Sequence, residues 1–223
     1  VSIVEDTKVL LSEKFISIQG EGLTIGTPVI FLRFYGCNLK CEWCDTKYAW
    51  EHDGAIYFGE KIKDVAKWVY KQPWWKIVIT GGEPFYQHDA LFKLCAYFCG
   101  THHIMVETNG TKFDKLLVDM GVDFIVSPKL TSSGHRPNDT VIAQYARYAR
   151  QDTKVEFKFV IGSMGDYDEA IAIVKRHKLP NWRVTLQPVD NNKQLYHLLV
   201  DELRKEPYPP RLLIQIHKVM EVK

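Results

Sequence analysis

No stretch of this 223-residue chain approaches the ~18 consecutive apolar residues of a membrane-spanning helix, so no membrane partner is expected. No charged-then-apolar leader opens the sequence, and a secretory signal is not expected either. A charge bias is missing as well. The 29 basic and 27 acidic residues leave a net charge of +2, which gives no support to nucleic-acid binding. Internal repeats, low-complexity tracts and Pro/Ser-rich linkers are absent, and the chain reads as a single domain. Its composition of 46% hydrophobic, 25% charged and 13% aromatic residues excludes disordered, collagenous and coiled-coil classes. A chain of this length buries roughly 70–75% of its unfolded surface and needs no metal merely to fold. There are five cysteines, an odd number, with three crowded into residues 37–44. A secreted disulfide scaffold would be shorter, with an even count more evenly spread. The pattern fits a cytoplasmic protein whose crowded thiols hold a metal or cluster.

Short apolar runs at residues 27–35, 76–80, 104–108, 124–127, 155–161, 183–187 and 212–216 read as strands. They are read as continuously apolar, as in a parallel sheet covered on both faces. Segments 60–71, 89–99, 112–120, 139–150, 166–177 and 194–204 carry helical spacing. Repeated βα units imply a doubly wound sheet or a βα barrel. Eight units usually need ~250 residues. The expectation is therefore an α/β fold, an incomplete βα barrel of about six parallel strands. Its site should lie at the C-terminal ends of the strands.

Cys37, Cys41 and Cys44 form Cys-x3-Cys-x2-Cys directly after the first of these strands. Three thiolates so close can converge on one soft metal centre. Structural zinc takes four ligands, and His52 or Asp45 could be the fourth. Iron–sulfur clusters usually take four cysteines, and a 4Fe–4S cluster held by three leaves one iron open. Cys95 and Cys99, spaced i, i+4 on an amphipathic segment, read as ordinary core thiols. Gly81-Gly82-Glu83-Pro84 ends the next strand. Its glycines allow close backbone approach to a ligand, and Glu83 can accept from an ammonium. Glu107-Thr108-Asn109-Gly110, Ser127-Pro128-Lys129 and Gln187-Pro188-Val189-Asp190 end later strands. Each alone is a polar loop; three on one rim fit a polar cofactor.

The cysteine loop, with Trp43 before its last cysteine and Gly81-Gly82-Glu83 downstream, resembles the radical S-adenosylmethionine (SAM) superfamily. That resemblance implies a 4Fe–4S cluster whose open iron binds SAM, which electron transfer then cleaves to a 5′-deoxyadenosyl radical. The chain is further similar to the 7-carboxy-7-deazaguanine synthase family. Phe15-Ile-Ser-Ile-Gln-Gly-Glu-Gly22, Arg33, Asp45-Thr46 and Gln215-Ile-His217-Lys218 carry this similarity, which covers nearly the whole chain. It implies a lyase converting 6-carboxy-5,6,7,8-tetrahydropterin to 7-carboxy-7-deazaguanine with loss of ammonia, in queuosine and deazapurine synthesis. It further implies Mg²⁺, a flavodoxin-like reductant and a homodimer.

Residue by residue, the resemblance implies that Ile18, Gln19, Gly20, Arg33, Thr80, His217 and the terminal carboxylate of Lys223 surround the substrate. Trp43, Cys44, Asp45, Gly82, Glu83, Ser127, Pro128, Lys129, Gln187, Pro188, Val189 and Asp190 would surround SAM. Thr46 would bind Mg²⁺, which prefers hard oxygen donors. Glu21 and Lys158 are the candidate catalytic residues, with the orientation of Lys158 left open. The expected division is an N-terminal substrate-binding extension (1–26), a barrel core (27–190) and a closing C-terminal segment (191–223). Without the resemblance, Gly20 and Gly22 read as a turn and Arg33 as a residue on an edge strand. His217 then reads as a core histidine, and Asp45 or Thr46 as a turn cap. The alternative functions are a glycyl-radical-enzyme activase of the same superfamily and a non-catalytic zinc or Fe–S binding module.

Overall fold

The structure, a computed structural model, describes residues 2–51, 56–151 and 155–222. Lys8–Ile18 (β1), Pro28–Phe34 (β2), Phe58–Lys61 (β3), Lys76–Gly81 (β4), His103–Thr108 (β5), Asp123–Val126 (β6), Val155–Ile161 (β7), Val184–Pro188 (β8) and Arg211–Leu212 (β9) join in one sheet. Their order is β3-β1-β2-β4-β5-β6-β7-β8-β9. Pairs from β2 to β9 are parallel, whereas β1 is antiparallel to both β2 and β3. The sheet ends in two edges and so forms an incomplete barrel, as expected.

Helices Ser2–Glu5 (α1), Ile62–Val69 (α2), His88–Phe98 (α3), Lys115–Asp119 (α4), Asp139–Ala149 (α5), Met164–His177 (α6), Lys193–Leu203 (α7) and Ile216–Val219 (α8) complete the fold. In α2, Ile62, Val65, Ala66 and Val69 are buried, one stripe at i, i+3, i+4, i+7. Ser163 and Asp166 form a capping box at the start of α6, and Lys178 closes it in the left-handed region. Outward-facing strand residues such as Ile30, Leu32, Ile77, Ile79, Val106, Phe157 and Leu186 pack with the helices in one core. Val29, Phe31, Val78, Met105 and Ile125 form a second, smaller cluster inside the barrel.

The N-terminal segment contributes β1, an added strand of 11 residues. Three expectations shift. The helix expected over 60–71 begins only at Ile62, because Phe58–Lys61 pairs with β1. The helix expected over 112–120 shrinks to Lys115–Asp119, because the Asp114 carboxylate caps it by accepting from Leu116 N. The strand expected over 212–216 is reduced to Arg211–Leu212, and Ile216 already opens α8. The strands are also less uniformly apolar than expected. In β7, Glu156 and Lys158 alternate with outward-facing Phe157 and Phe159.

Candidate active site

Period-two alternation turns Arg33, Thr80, Glu107, Lys158 and Gln187 into the barrel, where all five line one cavity. Arg33 and Thr80 are direct register partners on β2 and β4. Arg33 thus sits on an interior strand, not an edge. Its Nε lies 3.7 Å from Glu13 Oε1, a carboxylate that also accepts from Tyr48 Oη. Phe15 and Phe31 stack with centroids 4.8 Å apart on the same wall.

The β1–β2 connection folds inward over this face. Gln19 N donates to Thr27 O at 2.7 Å, and Gly26 N to Gln19 O at 2.7 Å, pinching the loop into a compact plug. Gly22, at φ +68°, has no room for a side chain: a Cβ there would stand 2.2 Å from Glu156 Oε1. Leu23 N donates to Glu156 Oε2 at 2.9 Å and ties the plug to β7. The plug delivers Glu21 to Lys158, whose Nζ donates to Glu21 Oε2. Gln215 Nε2 and Gln187 Nε2 donate to Glu21 Oε1 at 2.6 and 3.2 Å. Burial alone would raise the Glu21 pKa, but the Lys158 ammonium and these donors hold it down to about 2. Burial opposes the charge on Lys158, and the carboxylates Glu21 and Glu107 nevertheless hold its pKa above the usual lysine range.

Glu107 organises the neighbouring wall. Its Oε1 accepts from Gln19 Nε2 at 2.9 Å and its Oε2 from Thr80 Oγ1 at 2.8 Å. On sequence alone Glu107 lies on the rim without a role. The signal available is an acid that closes an apolar run in β5.

The cluster loop lies at the mouth of the same cavity, with Cys37, Cys41 and Cys44 among its lining residues. Gly82 packs backbone to backbone against its start: a Cβ there would stand 2.3 Å from Gly36 O. Glu83 N donates to Gly36 O at 2.8 Å. The Glu83 side chain is placed differently from the expectation. Its carboxylate is 1% exposed and accepts from Phe85 N (3.0 Å), Thr108 Oγ1 (2.9 Å) and Asn109 N (2.6 Å). It braces two strand-end loops and does not line the cavity. Pro128 and Pro188 likewise shape the rim without lining it, while Ser127, Lys129, Gln187, Val189 and Asp190 do line it. Lys129 Nζ lies 5.5 Å over the Trp43 ring and donates to Ser127 Oγ at 3.0 Å. Burial, and then the Lys158 charge, lower its pKa.

The three thiols are free. Burial pushes Cys37 up to about 11 and raises Cys41 as well, so a metal must displace the proton to use either sulfur. Trp50 Nε1 donates to Cys44 Sγ at 3.2 Å, and Leu39 N to Cys37 Sγ at 3.4 Å. Among the described residues, no three His, Cys, Asp or Glu side chains are gathered tightly enough for a single metal ion. A zinc knuckle with Asp45 therefore does not match the geometry, and His52 lies outside the described residues. The three thiols, with N–H donors aimed at two of the sulfurs, fit a wider polynuclear cluster held by three thiolates.

Thr46 starts the 3₁₀ turn Lys47–Ala49, but its hydroxyl makes no capping bond. It lines the cavity, with Oγ1 3.7 Å from Cys44 Sγ. Asp45 is held by Lys218 Nζ at 3.1 Å and by Gln215 Nε2 at 3.3 Å. Its pKa stays low because Lys218 outweighs its burial. Ile18, Gln19, Gly20 and His217 line the cavity too, and Ile216 N donates to Gly20 O at 3.1 Å. Lys223 lies outside the described residues. Gln215 and Lys218, part of a motif noted in the sequence but given no role there, are central here.

Residues 31–199 match the Radical SAM superfamily. The chain is 32% identical to 7-carboxy-7-deazaguanine synthase of Aquifex aeolicus, over 98% of this chain and 96% of that one. It is 35% identical to the Pyrobaculum aerophilum 7-carboxy-7-deazaguanine synthase, over 82% of this chain and 80% of that one. The crystal structure of QueE from Escherichia coli superposes with a TM-score of 0.72 at 25% identity, covering 93% and 94% of the two chains. With three thiols at the mouth of a polar, partly open barrel, these similarities lead to one conclusion: the chain is a radical SAM enzyme, with a 4Fe–4S cluster and SAM as cofactors, and belongs to the 7-carboxy-7-deazaguanine synthase family of lyases.

Proposed function

We propose that the enzyme converts 6-carboxy-5,6,7,8-tetrahydropterin to 7-carboxy-7-deazaguanine with loss of ammonia, in deazapurine synthesis leading toward queuosine. The observation that carries this reading is one cavity with thiols at its mouth and a charged, hydrogen-bonding interior. That interior suits a small carboxylated heterocycle better than a protein backbone. Cys37, Cys41 and Cys44 would hold the cluster. Trp43, Asp45, Gly82, Ser127, Lys129 and Gln187–Asp190 would surround SAM, with Glu83, Pro128 and Pro188 shaping that rim from behind. Together the two cofactors would supply a 5′-deoxyadenosyl radical.

This chain's own side chains place the substrate. Arg33 offers a planar fork of donors that matches a carboxylate. The Thr80 hydroxyl spends its proton on Glu107, so it presents lone pairs to an N–H of the ligand. Gln19 spends one amide N–H on Glu107 and its carbonyl on Glu21 N, at 3.3 Å, which fixes its orientation. Ile18, Gly20 and His217 would complete the enclosure. Lys158 Nζ keeps its proton against Glu21 Oε2, a donor positioned for a developing negative charge or a leaving amine. The Thr46 hydroxyl is a hard oxygen suited to Mg²⁺ shared with substrate oxygens.

The division into residues 1–26, 27–190 and 191–223, a flavodoxin-like reductant, a homodimer and a cytoplasmic location belong to the same proposal. Among the described residues no helix is long and apolar enough to cross a membrane. The test is anaerobic incubation of the reconstituted enzyme with the carboxylated tetrahydropterin, SAM, reductant and either Mg²⁺ or EDTA. Mass spectrometry should find 7-carboxy-7-deazaguanine, with one ammonia released per turnover and a higher yield with Mg²⁺. Cleavage of SAM with the pterin left intact would refute the substrate.

A further inference from the structure

The turn after β8 carries two successive non-glycine residues in the left-handed region, Asp190 at φ +50° and Asn191 at φ +54°. Asp and Asn enter this region more readily than other non-glycine residues, and contacts from outside the turn fix it there. Beside the turn's own bond from Asn192 N to Val189 O at 3.0 Å, those contacts come from the C-terminal segment. Gln215 N donates to Asn191 Oδ1 at 2.7 Å, and Asn191 Nδ2 donates back to Gln215 O at 3.2 Å. Lys218 Nζ lies 3.1 Å from both Asp190 Oδ1 and Asp45 Oδ2. The same short segment reaches the substrate side through Gln215 Nε2 on Glu21 and Ile216 N on Gly20 O. It therefore touches the 188–191 turn, the end of the cluster loop and the substrate plug at once.

We propose that residues 213–219 couple SAM binding to closure of the substrate site, with Asn191 and Lys218 as positioning residues. Neither needs to touch SAM. Each holds the 188–191 turn, assigned to SAM above, in the left-handed form; the inference rests on that assignment. Coupling is reciprocal: if the docked segment shapes the SAM site, bound SAM must tighten the docking. The substrate pocket then closes once the cofactor is in place, which keeps water and unproductive ligands away from the reacting atoms.

The test uses the cluster-loaded enzyme without pterin. In the wild type, saturating SAM should slow hydrogen exchange at the Gln215 and Ile216 amides by about fivefold or more. Asn191→Gly tolerates the left-handed turn and deletes both bonds. It should bind SAM roughly five- to tenfold more weakly, with an unchanged cluster spectrum, and SAM should no longer protect Gln215. Asn191→Asp keeps the acceptor for Gln215 N and should fall between. Lys218→Met should also weaken SAM binding, and Lys218→Arg should restore it. Should Asn191→Gly fail to fold, the Asn191→Asp and Lys218 variants carry the test. Wild-type exchange indifferent to SAM, or Asn191→Gly and Lys218→Met binding SAM as the wild type does, would overturn the coupling. Neither readout involves the pterin, so a wrong substrate would leave this result untouched.

Discussion

Phe157, Phe159 and Ile161 of β7 face the helices and are fully buried, whereas Glu156, Lys158 and Val160, one step along the pleat, face the barrel interior. The same strand thus serves two economies. Each outward side chain contributes roughly 1.5–3 kcal/mol by leaving water. The inward charges cost desolvation, which the Glu21 contact and the nearby Glu107 charge offset for Lys158. Stability is gathered on one face, which lets the other carry groups that no stable core would choose.

The largest contrast compares one side chain on the two sides. Cys41 sits at the cavity mouth, and Cys95 is buried in the helical layer at 0% exposure. Cys41→Ala should abolish cluster loading and turnover, whereas Cys95→Ala should cost about 1 kcal/mol of stability and leave the cluster spectrum intact. Iron content and urea unfolding check both; a normal cluster in Cys41→Ala would break the contrast.

Removing one member of the interior pair comes next. Lys158→Ala strands the buried Glu21 carboxylate and should cost about 3–5 kcal/mol, together with turnover. Adding Glu21→Gln to Lys158→Met should recover most of the stability and none of the activity. Denaturant midpoints beside turnover rates separate the two outcomes.

A smaller effect is expected at Arg33. Arg33→Lys keeps the charge and loses the fork, so KM for the carboxylated pterin should rise by about tenfold while SAM affinity holds. Equal loss of both ligands would turn Arg33 into a folding residue.

The smallest effect is a pH slope. Burial raises Glu156 from 4.5 to about 7. Across that window the unfolded chain has lost the proton while the folded one keeps it, so stability falls as pH rises. Glu156→Gln should flatten this slope, seen as urea midpoints that differ less between about pH 5 and about pH 8. A slope unchanged by the substitution would mean that other groups set it.

Much of this was legible before the fold was known. The strands 27–35, 76–80 and 155–161 emerged within a residue or so of their bounds, because apolar β-rich runs announce themselves locally. The β3 strand did not, since Phe58–Lys61 has little apolar character and exists through its pairing with β1. The cysteine spacing pointed to the cluster loop, and the rim clusters to the cavity. Glu83 shows the limit. Its motif pointed to a ligand, yet its carboxylate is spent on Thr108 and Asn109, partners 25 and 26 residues away that only folding brings near.

The βα alternation, the three thiols and the strand ends at which chemistry gathers follow from the order of residues alone, because periodicity and spacing are local properties of a chain. What each side chain faces came only with folding. It turned Lys158 inward onto Glu21 across 137 positions of sequence, joined Gln19 to Thr80 through Glu107, and brought Lys218 to both Asp45 and Asp190. Contacts of that range depend on strand register and on how a loop folds back over a sheet. Neither is written in any single segment of the chain.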